Sequence, residues 1–172
     1  WGAVTADTCL VCNAGKYSNA TGASSDETCR DCGAGKYSGA SGADSESTCT
    51  DCDAGKYSGD EGQVLAGTCA DCGAGKYSTS TGAVSNATCQ GCPAGTYLDS
   101  EGNDALADCV ACGQGKYSIN VGASSSSTCT ACGAGKYSGS TGAESNSTCV
   151  NCVEGKYSTV DVAVSILTCV KC

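Results

Sequence analysis

The sequence predicts an elongated rod, or solenoid, of small disulfide-rich repeats that contain short irregular β-hairpins and essentially no helix. A C-x-x-C pair returns every twenty residues from Cys9 to Cys172, and all 18 cysteines belong to this series. No insertion breaks its phase. A fixed period of this length is typical of arrays in which each unit contacts mainly its neighbours.

We therefore expect residues 1–172 to form a single tandem-repeat array of about nine units, with partial units at both ends. The full units open at Cys12, Cys32, Cys52, Cys72, Cys92, Cys112, Cys132 and Cys152.

The composition of each unit excludes an ordinary hydrophobic core. All 8 tyrosines lie in Gly-x-Tyr motifs and phenylalanine is absent, so most units have one large apolar side chain. Having 18 cysteines in 172 residues is typical of a disulfide scaffold from an oxidising compartment. Closing a loop such as the one from Cys12 to Cys29 is worth about 3 kcal/mol in the chain-entropy description. We expect covalent closure to replace the core.

The period narrows the disulfide connectivity without deciding it. Pairing within a C-x-x-C would form a small strained ring and leave the units unlinked. Joining residue 9 to 29 and 12 to 32 would impose a period of forty, and no such alternation is seen. We favour pairing the second cysteine of each unit with the first of the next, which gives every unit the same environment.

The favoured pairs are Cys12–Cys29, Cys32–Cys49, Cys52–Cys69, Cys72–Cys89, Cys92–Cys109, Cys112–Cys129, Cys132–Cys149 and Cys152–Cys169. Cys9 and Cys172 then have no partner within the chain. This suggests that the repeat continues beyond both ends or links to another molecule.

The spacing C-x2-C-x16-C-x2-C is also in the range of four-cysteine zinc sites. Three features oppose that interpretation: nine pairs do not divide into two-pair sites, histidine is absent, and the chain carries N-glycosylation sequons. A thioredoxin-type redox role requires a reactive thiolate at a helix N-terminus, which these Gly- and Ser-rich loops do not offer. We predict disulfides, with no metal and no other cofactor.

Three sequons predict N-glycosylation at Asn19, Asn86 and Asn146. Asn86 and Asn146 occupy the same phase of the repeat, just ahead of the Thr-Cys step. Accidental occurrence is the alternative, since the chain is rich in serine and threonine.

Within a unit, the Ala-Gly-Lys-Tyr-Ser step predicts a turn with positive φ at glycine, followed by a strand. A second glycine marks another turn before the chain returns to Thr-Cys. The last unit alternates apolar residues over Val160, Val162, Val164 and Ile166, which predicts a strand there. This apolar edge either caps the array or receives a neighbouring chain.

Charge and residue content exclude several function classes. A net charge of −9 opposes a nucleic-acid partner, because phosphate binding needs a basic surface. Without histidine, paired carboxylates at a recurring position or a Ser/His/Asp set, the chain lacks the groups for acid–base or nucleophilic catalysis. We expect no enzyme activity, and the sequence contains no membrane-spanning segment.

The motif C-x-x-C followed by Ala-Gly-Lys-Tyr-Ser resembles the cysteine-rich ephrin-receptor-like repeat, as does Cys92-Pro-Ala-Gly-Thr-Tyr. More loosely, it is similar to the first module of tumour-necrosis-factor-receptor cysteine-rich domains. The resemblance covers the whole chain and implies a disulfide-bonded extracellular module. It also implies that the cysteine before Gly-x-Tyr closes on the next cysteine downstream, in agreement with the favoured pairing.

These features together predict a structural glycoprotein that is secreted or on the cell surface, a disulfide-laddered subunit of a fibre, filament or surface appendage. Its expected partners are other copies of itself or adjacent repeats, and covalent glycans. The alternative is a stalk or ligand-binding ectodomain segment of a receptor or adhesin. The near-identity of the loops favours the structural role, because receptor modules vary their loops to make a site.

Overall fold

The computed structural model describes residues 10–23 and 25–172. The chain forms two compact units. The first consists of the described residues up to Asp71 together with residues 80–88, and the second of residues 72–79 and 89–172. Hairpins of the same design make up both units.

Each repeat contains one two-stranded antiparallel hairpin. Its first strand ends on the tyrosine, and its second strand follows the first cysteine of the next pair. In one hairpin Lys36 lies opposite Asp51 and Tyr37 opposite Thr50. The N–H of Cys52 donates to the carbonyl of Gly35 at 2.8 Å and closes the hairpin.

The strands, numbered β1 to β16 in chain order, are Lys16–Tyr17, Arg30–Asp31, Lys36–Tyr37, Thr50–Asp51, Lys56–Tyr57, Ala70–Asp71, Lys76–Tyr77, Gln90–Gly91, Thr96–Tyr97, Val110–Ala111, Lys116–Tyr117, Thr130–Ala131, Lys136–Tyr137, Val150–Asn151, Lys156–Tyr157 and Val170–Lys171. They pair in sequence order, β1 with β2 and so on to β15 with β16. The prediction of short hairpins without α-helix is confirmed for the described residues.

A single turn of 3₁₀-helix precedes the first cysteine of every pair from Cys29 to Cys169, and the sequence did not predict it. In the turn Glu46–Thr48, the hydroxyl of Thr48 donates to the carbonyl of Ser45 at 2.8 Å. The N–H of Cys49 then donates to the carbonyl of Glu46 at 2.9 Å. These bonds explain why threonine recurs before the cysteine. The 3₁₀ turns are Asp26–Thr28, Glu46–Thr48, Ala66–Thr68, Asn86–Thr88, Leu106–Asp108, Ser126–Thr128, Asn146–Thr148 and Ile166–Thr168.

Neighbouring repeats in the first unit are joined by a fixed set of backbone hydrogen bonds. The N–H of Gly15 donates to Ser38 at 2.7 Å, and that of Ser18 to Ala43 at 3.0 Å. In the reverse direction, the loop amide of Gly42 donates to the carbonyl of Cys12 at 2.7 Å. The prediction that each repeat binds its neighbour is therefore confirmed within this unit.

The second unit repeats the same bonds in the same phase. The N–H of Gly75 donates to Leu98 at 2.7 Å, and that of Ser78 to Asn103 at 3.1 Å. Gly102 donates to Cys72 at 2.9 Å. The bonding is independent of side-chain identity, which allows the loop residues to vary without changing the stack.

The interior consists of half-cystines, alanines and small hydroxyl side chains. Cys32, Cys52 and Cys92 have no exposed surface, and Ser118 is 1% exposed. Leu98 is an exception, a large aliphatic side chain that is 3% exposed. Among the described residues, no buried side-chain nitrogen or oxygen lacks a hydrogen-bond partner.

The prediction of a strand over residues 160–166 is wrong. The segment forms a loop with a turn, and the 3₁₀ turn Ile166–Thr168 begins at its end. The physical reason is that Ser165 takes the same extended cap position as in the other repeats, where its hydroxyl accepts from the N–H of Leu167 at 3.1 Å. The repeat framework overrides the local alternation of apolar residues.

Candidate functional surface

The disulfide ladder is the most regular feature of the molecule. The structure joins the second cysteine of each C-x-x-C pair to the first cysteine of the next pair, with Cα–Cα distances of 5.4–5.8 Å. Each bond closes the loop that carries the first hairpin strand and the 3₁₀ turn of one repeat. The eight pairs are those that the sequence favoured, from Cys12–Cys29 to Cys152–Cys169.

Two cysteines stand outside this ladder. Cys172 is exposed and is the one free cysteine among the described residues. Cys9 lies outside the described residues, so the structure says nothing of its pairing.

All three sequon asparagines are exposed. Asn86 and Asn146 each open a 3₁₀ turn, while Asn19 lies in the loop that follows β1. The sequon threonines also have a structural contact, because Thr88 donates to the carbonyl of Ser85 and Thr148 to that of Ser145, both at 2.9 Å. Glycosylation of these asparagines stays a prediction.

Three hairpins of the first unit carry an ion pair across their strands. Lys16 lies 2.9 Å from Asp31 and Lys36 lies 3.4 Å from Asp51, and Lys56 pairs in the same way with Asp71. These side chains are about 33–48% exposed, so each pair contributes little to stability. In the second unit the lysines instead face the residues Gly91, Ala131, Asn151 and Lys171.

The described residues hold no group of three or more carboxylates, histidines and cysteines that could bind a metal ion. Within the same part of the chain, no helix has the length and apolar content needed to cross a membrane.

Among the described residues, the last repeat has the largest number of exposed apolar side chains. Val160, Val162, Val164 and Ile166 are 40–46% exposed, and Leu167 is 87% exposed. The sequence located this apolar segment correctly and assigned it the wrong secondary structure. Its side chains project from a loop and a 3₁₀ turn, so the segment offers no strand edge for pairing.

These features define a tandem-repeat protein in which disulfide-closed hairpins replace a hydrophobic core. The chain belongs to the ephrin-receptor-like family. The family model described as "Tyrosine-protein kinase ephrin type A/B receptor-like" matches residues 43–89 and again residues 85–129, together about half of the chain. A search of the curated proteins finds no match. Family membership and eight disulfides indicate an extracellular or cell-surface location.

Proposed function

We propose that this chain is a structural extracellular glycoprotein, a disulfide-laddered segment of a fibre, filament or surface appendage. In this role the repeats act as a stiff spacer, with no enzyme activity. Length is then the selected property, and it is set by the number of repeats.

The observation that carries the proposal is the constancy of the joint between repeats. The glycine N–H bond to the next repeat measures 2.7 Å at Gly15, 2.8 Å at Gly35 and 2.9 Å at Gly135. The bond uses only backbone atoms, and a disulfide closes the loop of each repeat on either side of it. A stack of covalently closed repeats with uniform joints resists bending better than a chain of independent modules.

The glycan part of the proposal is supported by position. Asn19, Asn86 and Asn146 are exposed, so attached sugars would lie outside the stack and displace none of its bonds. Non-reducing peptide mapping of secreted protein, with glycans left in place, tests both the sugars and the pairing.

The test of a spacer is its length as repeats are removed. Deleting residues 33–52 or residues 113–132 keeps the cysteine phase and removes one repeat each time. If two or three strand widths separate the repeats, each deletion shortens the particle by roughly 10–14 Å, whichever repeat is removed. Small-angle scattering from the secreted, oxidised proteins measures the change. Unequal steps, or no change in length, would contradict a spacer.

A stalk or ligand-binding segment of a receptor or adhesin is the second candidate, favoured by the family's receptor-type description. The same deletion series, assayed for ligand binding, separates a ligand-binding segment from a spacer, whereas a stalk is itself a spacer. A binding site disappears when one particular repeat is removed, whereas a spacer responds to the number of repeats alone.

A further inference from the structure

The last repeat differs from the others in the chemistry of its exposed positions. Val160, Val164, Ile166, Leu167 and Val170 are 41–87% exposed. The same positions two repeats earlier are also exposed, and there they hold Asn120, Ser124, Ser126, Ser127 and Thr130. The backbone positions are thus ordinary. Single positions are apolar in other repeats, as at Val84 and Leu106, but only the last repeat has apolar side chains at all five.

Stacking of a further repeat would not cover these side chains. Ser126, Ser127 and Thr130 remain exposed although a complete repeat follows them in the structure. These positions therefore stay exposed when repeats follow, so a partner that covers the apolar side chains has to be a separate molecule and not the next repeat.

The exposed apolar area of the last repeat is large for a monomer. We define the apolar patch as the five residues whose equivalents stay exposed when repeats follow, Val160, Val164, Ile166, Leu167 and Val170. Their exposed area is on the order of 450 Å², which lies in the range of the largest apolar patch of a typical monomer, and such patches are often functional.

Charge points to a second copy of this chain as the partner. The whole chain carries −9, so two copies repel each other over most of their length. In the last repeat, Lys156 faces Lys171 across the hairpin and balances Glu154 and Asp161. Two acidic chains can approach most closely where the local charge is zero and the side chains are apolar.

We propose that the apolar patch is a dimerisation surface, at which two copies meet through the same repeat about a two-fold axis. The inference rests on the proposed structural function and identifies one lateral contact between two copies of the chain. An isologous contact of this kind closes after two copies, so it joins two arrays and does not polymerise.

The test uses the full chain and a variant in which Val164, Ile166 and Leu167 are all replaced by serine. Serine occupies these positions at Ser124, Ser126 and Ser127, so the fold accepts it. The matched control replaces exposed apolar residues at equivalent positions elsewhere, Val84→Ser, Leu106→Ser and Val110→Thr. Correct disulfide mapping of each protein shows that it is folded.

Sedimentation equilibrium from roughly 10 μM to 1 mM then measures the dimerisation constant. The patch variant should weaken dimerisation at least about a hundredfold, since three aliphatic side chains leave the interface. The control should stay within about twofold, and added salt should strengthen the wild-type dimer by screening like charge.

A wild-type chain that remains monomeric throughout this range overturns the inference. The inference also fails if the control variant weakens dimerisation as much as the patch variant does, or if wild-type assemblies grow beyond the dimer. It fails too if wild-type monomers float with phosphatidylcholine vesicles and the patch variant does not. The length-step experiment is run on the patch variant. If each deletion shortens the particle equally but the wild-type chain forms no dimer, only the dimer proposal fails. If the wild-type chain dimerises but the deletions shorten the particle unequally, only the spacer proposal fails.

Discussion

Gly75 lies against the backbone of Gly122, in the second repeat downstream. A Cβ atom placed on Gly75 would be 2.2 Å from the carbonyl oxygen of Gly122, and Gly75 has a φ of +83°. Two requirements therefore coincide at one residue, a left-handed backbone and the absence of any side chain. The first unit has the equivalent arrangement, where a Cβ atom placed on Gly35 would be 2.3 Å from the carbonyl oxygen of Gly82.

Replacing Gly75 by alanine should therefore destabilise the chain more than the same change at other glycines. Gly155 has a φ of +73° with open space around it, and Gly73 is also open and has no positive φ. We expect Gly73→Ala to be nearly neutral and Gly155→Ala to cost about 1–2 kcal/mol. Gly75→Ala should cost about 1–3 kcal/mol more, because backbone must move. Thermal unfolding of the oxidised proteins ranks the three variants by loss of stability. Equal losses of stability for Gly75→Ala and Gly155→Ala would contradict the packing argument.

The disulfides should act locally, since each closes one loop. Replacing Cys52 and Cys69 together by serine removes one closure without leaving a free thiol, and should cost about 3 kcal/mol. Hydrogen exchange should speed up in residues 53–68 and in the adjoining repeats, and remain slow in repeats farther away. Cys172→Ser is the control, because Cys172 is free and exposed. Uniform exchange along the chain would show that the array unfolds as one body.

Much of the fold could be predicted because its covalent and backbone requirements recur in every repeat. Positive φ was predicted at the glycine before Lys-Tyr, and it is confirmed at Gly15 and Gly155 with values of 81° and 73°. The hairpins follow from the same period. Because this glycine recurs eight times at the same position of the repeat, its role could be predicted from the sequence.

The 3₁₀ turns could not be predicted because their signal is a single threonine. Its hydroxyl bond to a carbonyl three residues earlier, as from Thr68 to Leu65 at 2.6 Å, involves no apolar periodicity. The wrong prediction of a strand at residues 160–166 arose from a clear sequence signal that the rest of the repeat overrides. The alternation is real, but the strand preference of four apolar residues is weaker than the constraints of a loop that the Cys152–Cys169 disulfide closes and that the preceding repeat binds by backbone hydrogen bonds.

A cross-strand ion pair like those of the first unit can be introduced into the second unit by one substitution. Ala131→Asp places a carboxylate opposite Lys116, in the register that brings Asp51 to 3.4 Å from Lys36. We expect a gain of a few tenths of a kcal/mol at low salt, because both side chains are exposed. The gain should vanish near 1 M salt, where the screening length is about 3 Å. Ala131→Asn is the uncharged control, and a gain of the same size from it would exclude electrostatics.

The sequon at Asn86 separates a glycan effect from a folding effect. Thr88 closes its 3₁₀ turn by donating to Ser85 at 2.9 Å, so Thr88→Ala removes that bond as well as any sugar. In glycan-free protein Thr88→Ala should cost about 1 kcal/mol, while Asn86→Gln should be neutral. In secreted protein both changes should remove the same glycan mass from the peptide. Thr88→Ser should retain the glycan and most of the stability. Equal stability of the Thr88→Ala and Asn86→Gln proteins would show that the turn does not need the hydroxyl.

Leu98 tests whether the repeat consensus or the local packing decides stability. Serine holds this position in every other full repeat, and Leu98 is 3% exposed. In five of these repeats the serine hydroxyl accepts a long bond of 3.2–3.4 Å from the N–H two residues on, as Ser38 does from Ala40.

Consensus reasoning expects Leu98→Ser to be neutral or stabilising. Packing predicts the reverse, because losing a buried leucine side chain costs about 2–5 kcal/mol and the regained bond is worth at most about 1 kcal/mol. We therefore expect a net loss of about 1–4 kcal/mol in denaturant unfolding with the disulfides intact. Leu98→Met keeps the volume and should lose less than about 1.5 kcal/mol. A stable Leu98→Ser protein would mean that its neighbours close over the space that leucine fills, as they do around serine in the other repeats.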